Sequence, residues 1–232
     1  MSYKGFKIVC LGTYCLPRVI ATVCNFKATK AQGEKTCPYD LAFCWNFEAI
    51  LNNLDNEFSD FFSGIEHDFV QNNEVKDEIS NIFTSKFNAK YWKDDNAGFI
   101  FNHEDGFTFE EFKTRYLKRI NNLYEYINIE ELELYFLIAT FKPITNDQIE
   151  KLNKIIMRYR KPDSYYNIIL NQSEENLAIK SSNTKVIDCA EFNPLFKGDW
   201  GLMLKEHGKY TLADEFYRKI NNELMKIILR VN

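Results

Sequence analysis

Cys15 closes the run Leu11-Gly12-Thr13-Tyr14-Cys15, which lies between an apolar, β-prone segment and a segment with helical spacing. A thiol at the start of a helix feels the positive end of the helix dipole, which favours the thiolate and a lower pKa. The unpaired backbone N–H groups of a first helical turn can also hold an oxyanion. These features suit nucleophilic attack on a carbonyl carbon. The competing reading is a buried cysteine that covers the end of a sheet. A cysteine nucleophile needs a base, usually histidine, and the chain has three, His67, His103 and His207. His103 follows Phe99-Ile100-Phe101 and stands beside Glu104 and Asp105, either of which can orient it. His67 lies in a stretch without a clear pattern, and His207 precedes the last helical segment; each histidine also fits a surface or packing role. Asp40, after Pro38-Tyr39, can hold the histidine or the cysteine loop, or cap a helix that begins near Leu41. The catalytic candidates are therefore Cys15, His103 and Asp40. Arg115 and Arg119, one helical turn apart, either support such a site or pair with nearby acids.

Other chemistries find less in the chain. The remaining cysteines, at positions 10, 24, 37, 44 and 189, form no CxxC pair, and the expectation is small core hydrophobes with no metal. Gly12 is alone in its turn, without GxGxxG or GxxxxGK, so no nucleotide or other cofactor is expected. Acids are plentiful, but no spacing singles out a catalytic pair. A net charge of −4 with mixed signs gives no reason to expect nucleic acid as a partner. No apolar run reaches the length of a membrane span, and the first residues lack a secretory apolar core. The expectation is a soluble, cytoplasmic protein with reduced thiols.

These residues must be positioned by regular elements. Residues 6–11 read as a strand, and 16–26 as a helix with Pro17 in its first turn. Residues 47–62 read as an amphipathic helix, 66–95 as irregular, and 99–101 as a short strand. Residues 109–127 are a helix, with Phe112, Tyr116, Ile120 and Leu123 on one face. Strands over 134–141, 166–170 and 185–188 alternate with helices over 147–159 and 211–229. This pattern predicts one α/β domain over 1–232, a mostly parallel sheet flanked by helices in a three-layer, Rossmann-like or SGNH-like arrangement. Ligands in such sheets sit beyond the carboxyl ends of the strands, where Cys15, His103, Asn171 and Gln172 all fall.

Leu11-Gly12-Thr13-Tyr14-Cys15, then Pro38-Tyr39-Asp40, then His103 ahead of Tyr116 and Arg119 resembles the bacterial family DUF1796, described as papain-like cysteine peptidases. The family's second motif reads Pro-Phe-Asp-Trp; here Tyr39 and Leu41 replace the Phe and Trp, Asp40 is kept, and Trp45 follows a turn later. The resemblance implies Cys15 as nucleophile, His103 as base, and Asp40 as the acid of the second motif. A papain-like enzyme carries its cysteine on a helix against an antiparallel sheet. A cysteine directly after the first strand of a parallel sheet is more similar to the SGNH hydrolases and the related GSCFA group. The stretch from Asp199-Trp200 to His207 resembles the late Asp-x-x-His block of SGNH enzymes, which makes His207 a rival base. Three functions follow: a cysteine hydrolase of peptide or ester substrates, an SGNH-like esterase or acyltransferase on acylated glycans, and a non-catalytic glycan- or protein-binding domain.

Overall fold

The structure is a computed structural model. It describes residues 5–69, 90–94, 98–101, 103–104, 107–140, 142–175, 177–192 and 212–230, with the backbone alone for 66–69 and 90–93. Its first sheet is parallel and contains β1 (Phe6–Cys10), β6 (Glu133–Ala139), β7 (Tyr165–Asn171) and β8 (Thr184–Asp188), in the order β1-β6-β7-β8. Apolar residues run almost without interruption along β6 and β7, as strands buried on both faces require. Side chains alternate between faces, and the two cores divide accordingly. Val9, Leu134, Phe136, Ile138, Tyr165 and Ile169 enter one core. Ile8, Cys10, Tyr135, Leu137, Ala139, Ile168 and Leu170 enter the other.

Helices cover both faces and complete the expected three-layer α/β arrangement. α1 (Leu16–Val23) and the C-terminal α5 (Leu212–Leu229) pack on the second core through Leu16, Ile20, Phe216, Ile220 and Leu224. On the first core lie α2 (Phe47–Asp55), α3 (Phe109–Asn128) and α4 (Asn146–Ile156). The starts of α3 and α4 carry capping boxes, Thr108 with Glu111 and Thr145 with Gln148. Each satisfies N–H groups that a helix start leaves open. No helix among the described residues is long and apolar enough to cross a membrane.

Sequence reading misses a second sheet. β2 (Phe43–Cys44), β5 (Phe99–Phe101), β4 (Lys90–Asp94) and β3 (Glu66–Phe69) form an antiparallel sheet in that order. Residues 66–95 were expected to be irregular, yet their two ends pair as strands. Both segments are rich in charge and too short to show apolar alternation. No helix begins near Leu41; Pro38–Asp40 forms a 3-10 turn that leads into β2. α2 stops at Asp55, short of the expected residue 62, because Glu57 and Phe58 take φ of 55° and 62° and leave the helical path. Phe58 and Phe61 are buried even so, which is why helical spacing persists in the sequence beyond the helix.

Arg160 closes the far end of the first core. Its guanidinium donates to Ile127 O at 3.0 Å, Ile129 O at 2.9 Å and Ser164 O at 3.0 Å, and also to Leu132 O. These carbonyls belong to the end of α3 and the turns around β6 and β7, where Ser164 O also accepts from Leu134 N at 3.1 Å and Ile129 O from Leu132 N at 3.4 Å. A buried carbonyl left open costs about 1–3 kcal/mol. Replacing Arg160 with Met removes these bonds, and the one from Nε to Ser164 Oγ, and should lower the unfolding free energy in urea by roughly 3 kcal/mol. An unchanged urea midpoint would contradict this role.

Candidate active site

The turn that carries Cys15 is built by close packing at the carboxyl end of β1. The β1–β6 ladder continues past Cys10, with Leu11 N donating to Leu137 O and Thr13 N to Ala139 O, both at 2.9 Å. A Cβ at Gly12 would stand 2.7 Å from Pro17 Cγ, 2.9 Å from Tyr14 O and 3.0 Å from Ala139 O. Only glycine fits there, because two of the three neighbours are fixed backbone oxygens. Pro17 both fills this space and starts α1. Cys15 is the N-cap residue, half-buried, and its side chain makes no capping bond. The sulfur is thus not engaged by the helix it begins. Burial nevertheless pushes its pKa above the ordinary 9.0, partly offset by its own backbone N–H. The expectation of a lowered pKa from the dipole meets a larger opposing desolvation here.

Asp40 sits below this turn and is fully buried. Its Oδ2 accepts from Cys37 N at 2.8 Å, which closes the 3-10 turn. The same oxygen lies 3.7 Å from Arg18 Nη1 and 3.8 Å from Lys27 Nζ. Lys27 is itself buried, donates to Ile8 O at 3.0 Å, and stands 3.7 Å from Glu34. Burial works against the Lys27 charge, yet with Asp40 beside it the balance is upward. Glu34 in turn accepts from Tyr126 Oη at 2.7 Å and Lys7 Nζ at 2.9 Å. Asp40 therefore joins β1, α1 and the polar loop that follows α1. It reaches the cysteine's helix through Arg18, three residues after Cys15.

His103 occupies the turn directly after β5 and is exposed. Glu104, next to it, is buried and was a candidate to orient the imidazole. Its carboxylate is committed elsewhere: Oε2 takes Arg115 Nε at 2.6 Å and Oε1 takes Arg119. The two arginines pair with an acid, one of the two roles open to them, and so pin the His103 turn onto α3. Arg119 also lies 4.5 Å over the buried Tyr116 ring. Asp105 lies outside the described residues, as does His207; of His67 only the backbone is described. No hydrogen bond joins Cys15 to an imidazole among the described residues. β2 connects the two regions, since Cys44 N donates to Thr13 O at 2.7 Å and Phe43 pairs with Ile100 of β5.

Several contributors escape sequence reading. Lys27 and Glu34 belong to a segment that reads as a solvated loop, and Arg18 reads as the polar face of α1. Tyr14 reaches across the sheet end, where its hydroxyl accepts from Gln172 Nε2 after β7. Only the shared position of both residues at carboxyl strand ends hinted at that contact.

The family described as "Putative papain-like cysteine peptidase (DUF1796)" matches residues 6–176, which include Cys15, Asp40 and His103. No curated protein and no solved structure matches the chain.

Burial raises the pKa of all six thiols, those of Cys24, Cys44 and Cys189 to about 12. An unfolded thiol ionises near the ordinary 9.0, whereas the folded chain keeps its protons. Between those values the native state binds more protons, so stability falls as pH rises. The contribution is whole below pH 9 and is lost progressively toward pH 12. Melting temperatures should therefore drop steadily above about pH 9, in step with this proton difference. A melting temperature that stays level from neutral pH to pH 10.5 would contradict the burial of these thiols.

Proposed function

The chain belongs to the DUF1796 family, and from that premise we propose that it is a cysteine-dependent hydrolase with Cys15 as nucleophile and His103 as base. The observation that carries this reading is the place of Cys15: half-buried, uncapped, at the start of α1, at the carboxyl edge of a parallel sheet. Because burial raises its pKa, the thiol is protonated at rest and a base must take its proton during attack. The His103 imidazole takes that proton as sulfur bonds to the carbonyl carbon of a peptide, ester or thioester. The carbonyl oxygen becomes an oxyanion held by N–H groups at the start of α1, where Pro17 contributes none. The leaving group departs with the proton from the imidazolium, and a thioester remains on Cys15. Water then attacks the thioester while His103 takes a proton from it. The carboxylic acid leaves and loses its proton to solvent, and the imidazolium returns its own proton to the Cys15 sulfur.

Asp40 acts as a positioning residue in this scheme, through Arg18 on α1. His103 approaches from the other side of β2. Its turn is held onto α3 by Glu104, Arg115 and Arg119. Catalytic contacts commonly tighten only when substrate binds.

The parallel sheet favours a second reading, an SGNH-like esterase or acyltransferase on acylated glycans, in which His207 is the base. His207 lies beyond the matched residues 6–176, and His103 lies within them, which favours His103. Iodoacetamide labelling at neutral pH separates the readings. Cys15 should label at least about tenfold faster than Cys24, the other half-buried thiol. His103→Ala should abolish that advantage, and His207→Ala should leave it intact. Equal labelling of Cys15 and Cys24 would overturn the nucleophile, and loss with His207→Ala alone would establish the second reading.

A further inference from the structure

A cleft of about 130 Å³ opens beyond the carboxyl ends of β6 and β7. Its apolar part is formed by Pro143, Ile144, Ile169 and Leu177, and its polar part includes Lys142, Gln172 and Ser173. Sites that enclose a whole small molecule usually measure about 300–1,000 Å³. This cleft therefore suits one group of a larger substrate. Its polar wall is organised in advance. Asn171 Oδ1 accepts from Ser173 N at 3.1 Å, and Asn171 Nδ2 donates to Ser173 O at 3.2 Å and Glu175 O at 3.0 Å. These bonds use up the Asn171 side chain in holding the loop, so a ligand meets its neighbours instead.

Two polar groups of the lining are not spent in this way. The Lys142 ammonium makes no hydrogen bond or ion pair among the described residues, whereas its carbonyl accepts from Thr140 Oγ1. The Ser173 hydroxyl accepts from Glu175 N at 3.1 Å and keeps its own proton to donate. A cation and a hydroxyl beside an aliphatic floor select a negatively charged oxygen group on a branched aliphatic body. The third, Gln172, donates to the Tyr14 hydroxyl. Tyr14 directly precedes Cys15, so one wall of the cleft touches the cysteine turn.

We propose that this cleft is a substrate subsite for a carboxylate-bearing branched aliphatic group, such as the end of a peptide that finishes in a leucine-like residue. It rests on the reading of Cys15 as nucleophile only for its role in the reaction; binding itself does not require that reading. The cleft supplies specificity, and the Gln172–Tyr14 contact sets the bound group relative to the sulfur.

The test titrates 4-methylpentanoate and its neutral analogue 4-methylpentanamide into the full chain carrying Cys15→Ser, followed by amide NMR shifts. The carboxylate should move saturably the signals of Gln172, Ser173 and Leu177, and the neutral amide should bind about tenfold more weakly. Lys142→Ala should weaken the carboxylate by a similar factor and leave the amide unaffected. Equal affinity for the two probes, an unchanged affinity in Lys142→Ala, shifts confined to other regions, or no shifts at all would each overturn the proposal. Since the sulfur is absent, failure of the hydrolase reading cannot produce any of these results. Saturable binding together with an unreactive Cys15 in the wild-type chain would keep the subsite and remove the hydrolase.

Discussion

A carboxylate with no access to water has to be met by charge and hydrogen bonds, and Asp40 imposes that condition on the first forty residues of the chain. Its partners come from three segments: Cys37 from its own turn, Arg18 from α1 and Lys27 from the loop after it. Lys27 is equally buried and bonds the backbone of β1. Removing one member of such a buried pair leaves the other uncompensated, at a cost of about 3–5 kcal/mol. The strand, the helix that Cys15 begins and the Pro38-Tyr39-Asp40 turn are thus locked to one another by a single charge. Gly12 provides the matching steric condition at the other end of the turn. Between them, Cys15 has one place to be.

The parallel sheet was legible because β1, β6 and β7 are apolar enough to read as buried strands and β8 carries the short Val186-Ile187 run, with helical periodicity between them. The Cys15 turn was legible too, since Gly12 and Pro17 have a physical reason to stand where they do. The second sheet was not, because β2 is two residues long and β3 and β4 are dominated by charged and polar residues. The Asp40 cluster was hidden for a different reason. Lys27 and Glu34 look like ordinary solvated residues, and nothing in their spacing shows that Asp40 draws them inward. Glu104 misled in the opposite direction: its neighbour His103 suggested a catalytic pairing, while Arg115 and Arg119, eleven and fifteen residues later, claim its carboxylate.

The family description names papain-like chemistry, and the sheet that carries Cys15 is parallel. The two statements concern different levels of the molecule. A thiol nucleophile needs a helix start, an oxyanion site and a base, and any scaffold that supplies these serves. In the proposed reading a strand-to-helix turn supplies the first two, at the sheet edge where ligands of parallel α/β folds gather. The cleft after β6 and β7 lies on that same edge, and Tyr14 spans the interval. Cys15 and the cleft therefore share the carboxyl edge, while Asp40 and its cations brace the turn.

As the proposed nucleophile, Cys15 should form a covalent acyl intermediate. Mass spectrometry of the intact chain after brief exposure to p-nitrophenyl acetate, with peptide mapping, tests it most directly. The chain should gain one acetyl group, located on Cys15 and lost again on standing in buffer as water completes the cycle. Acetylation spread over lysines, or placed on any other thiol with Cys15 unmodified, would contradict it.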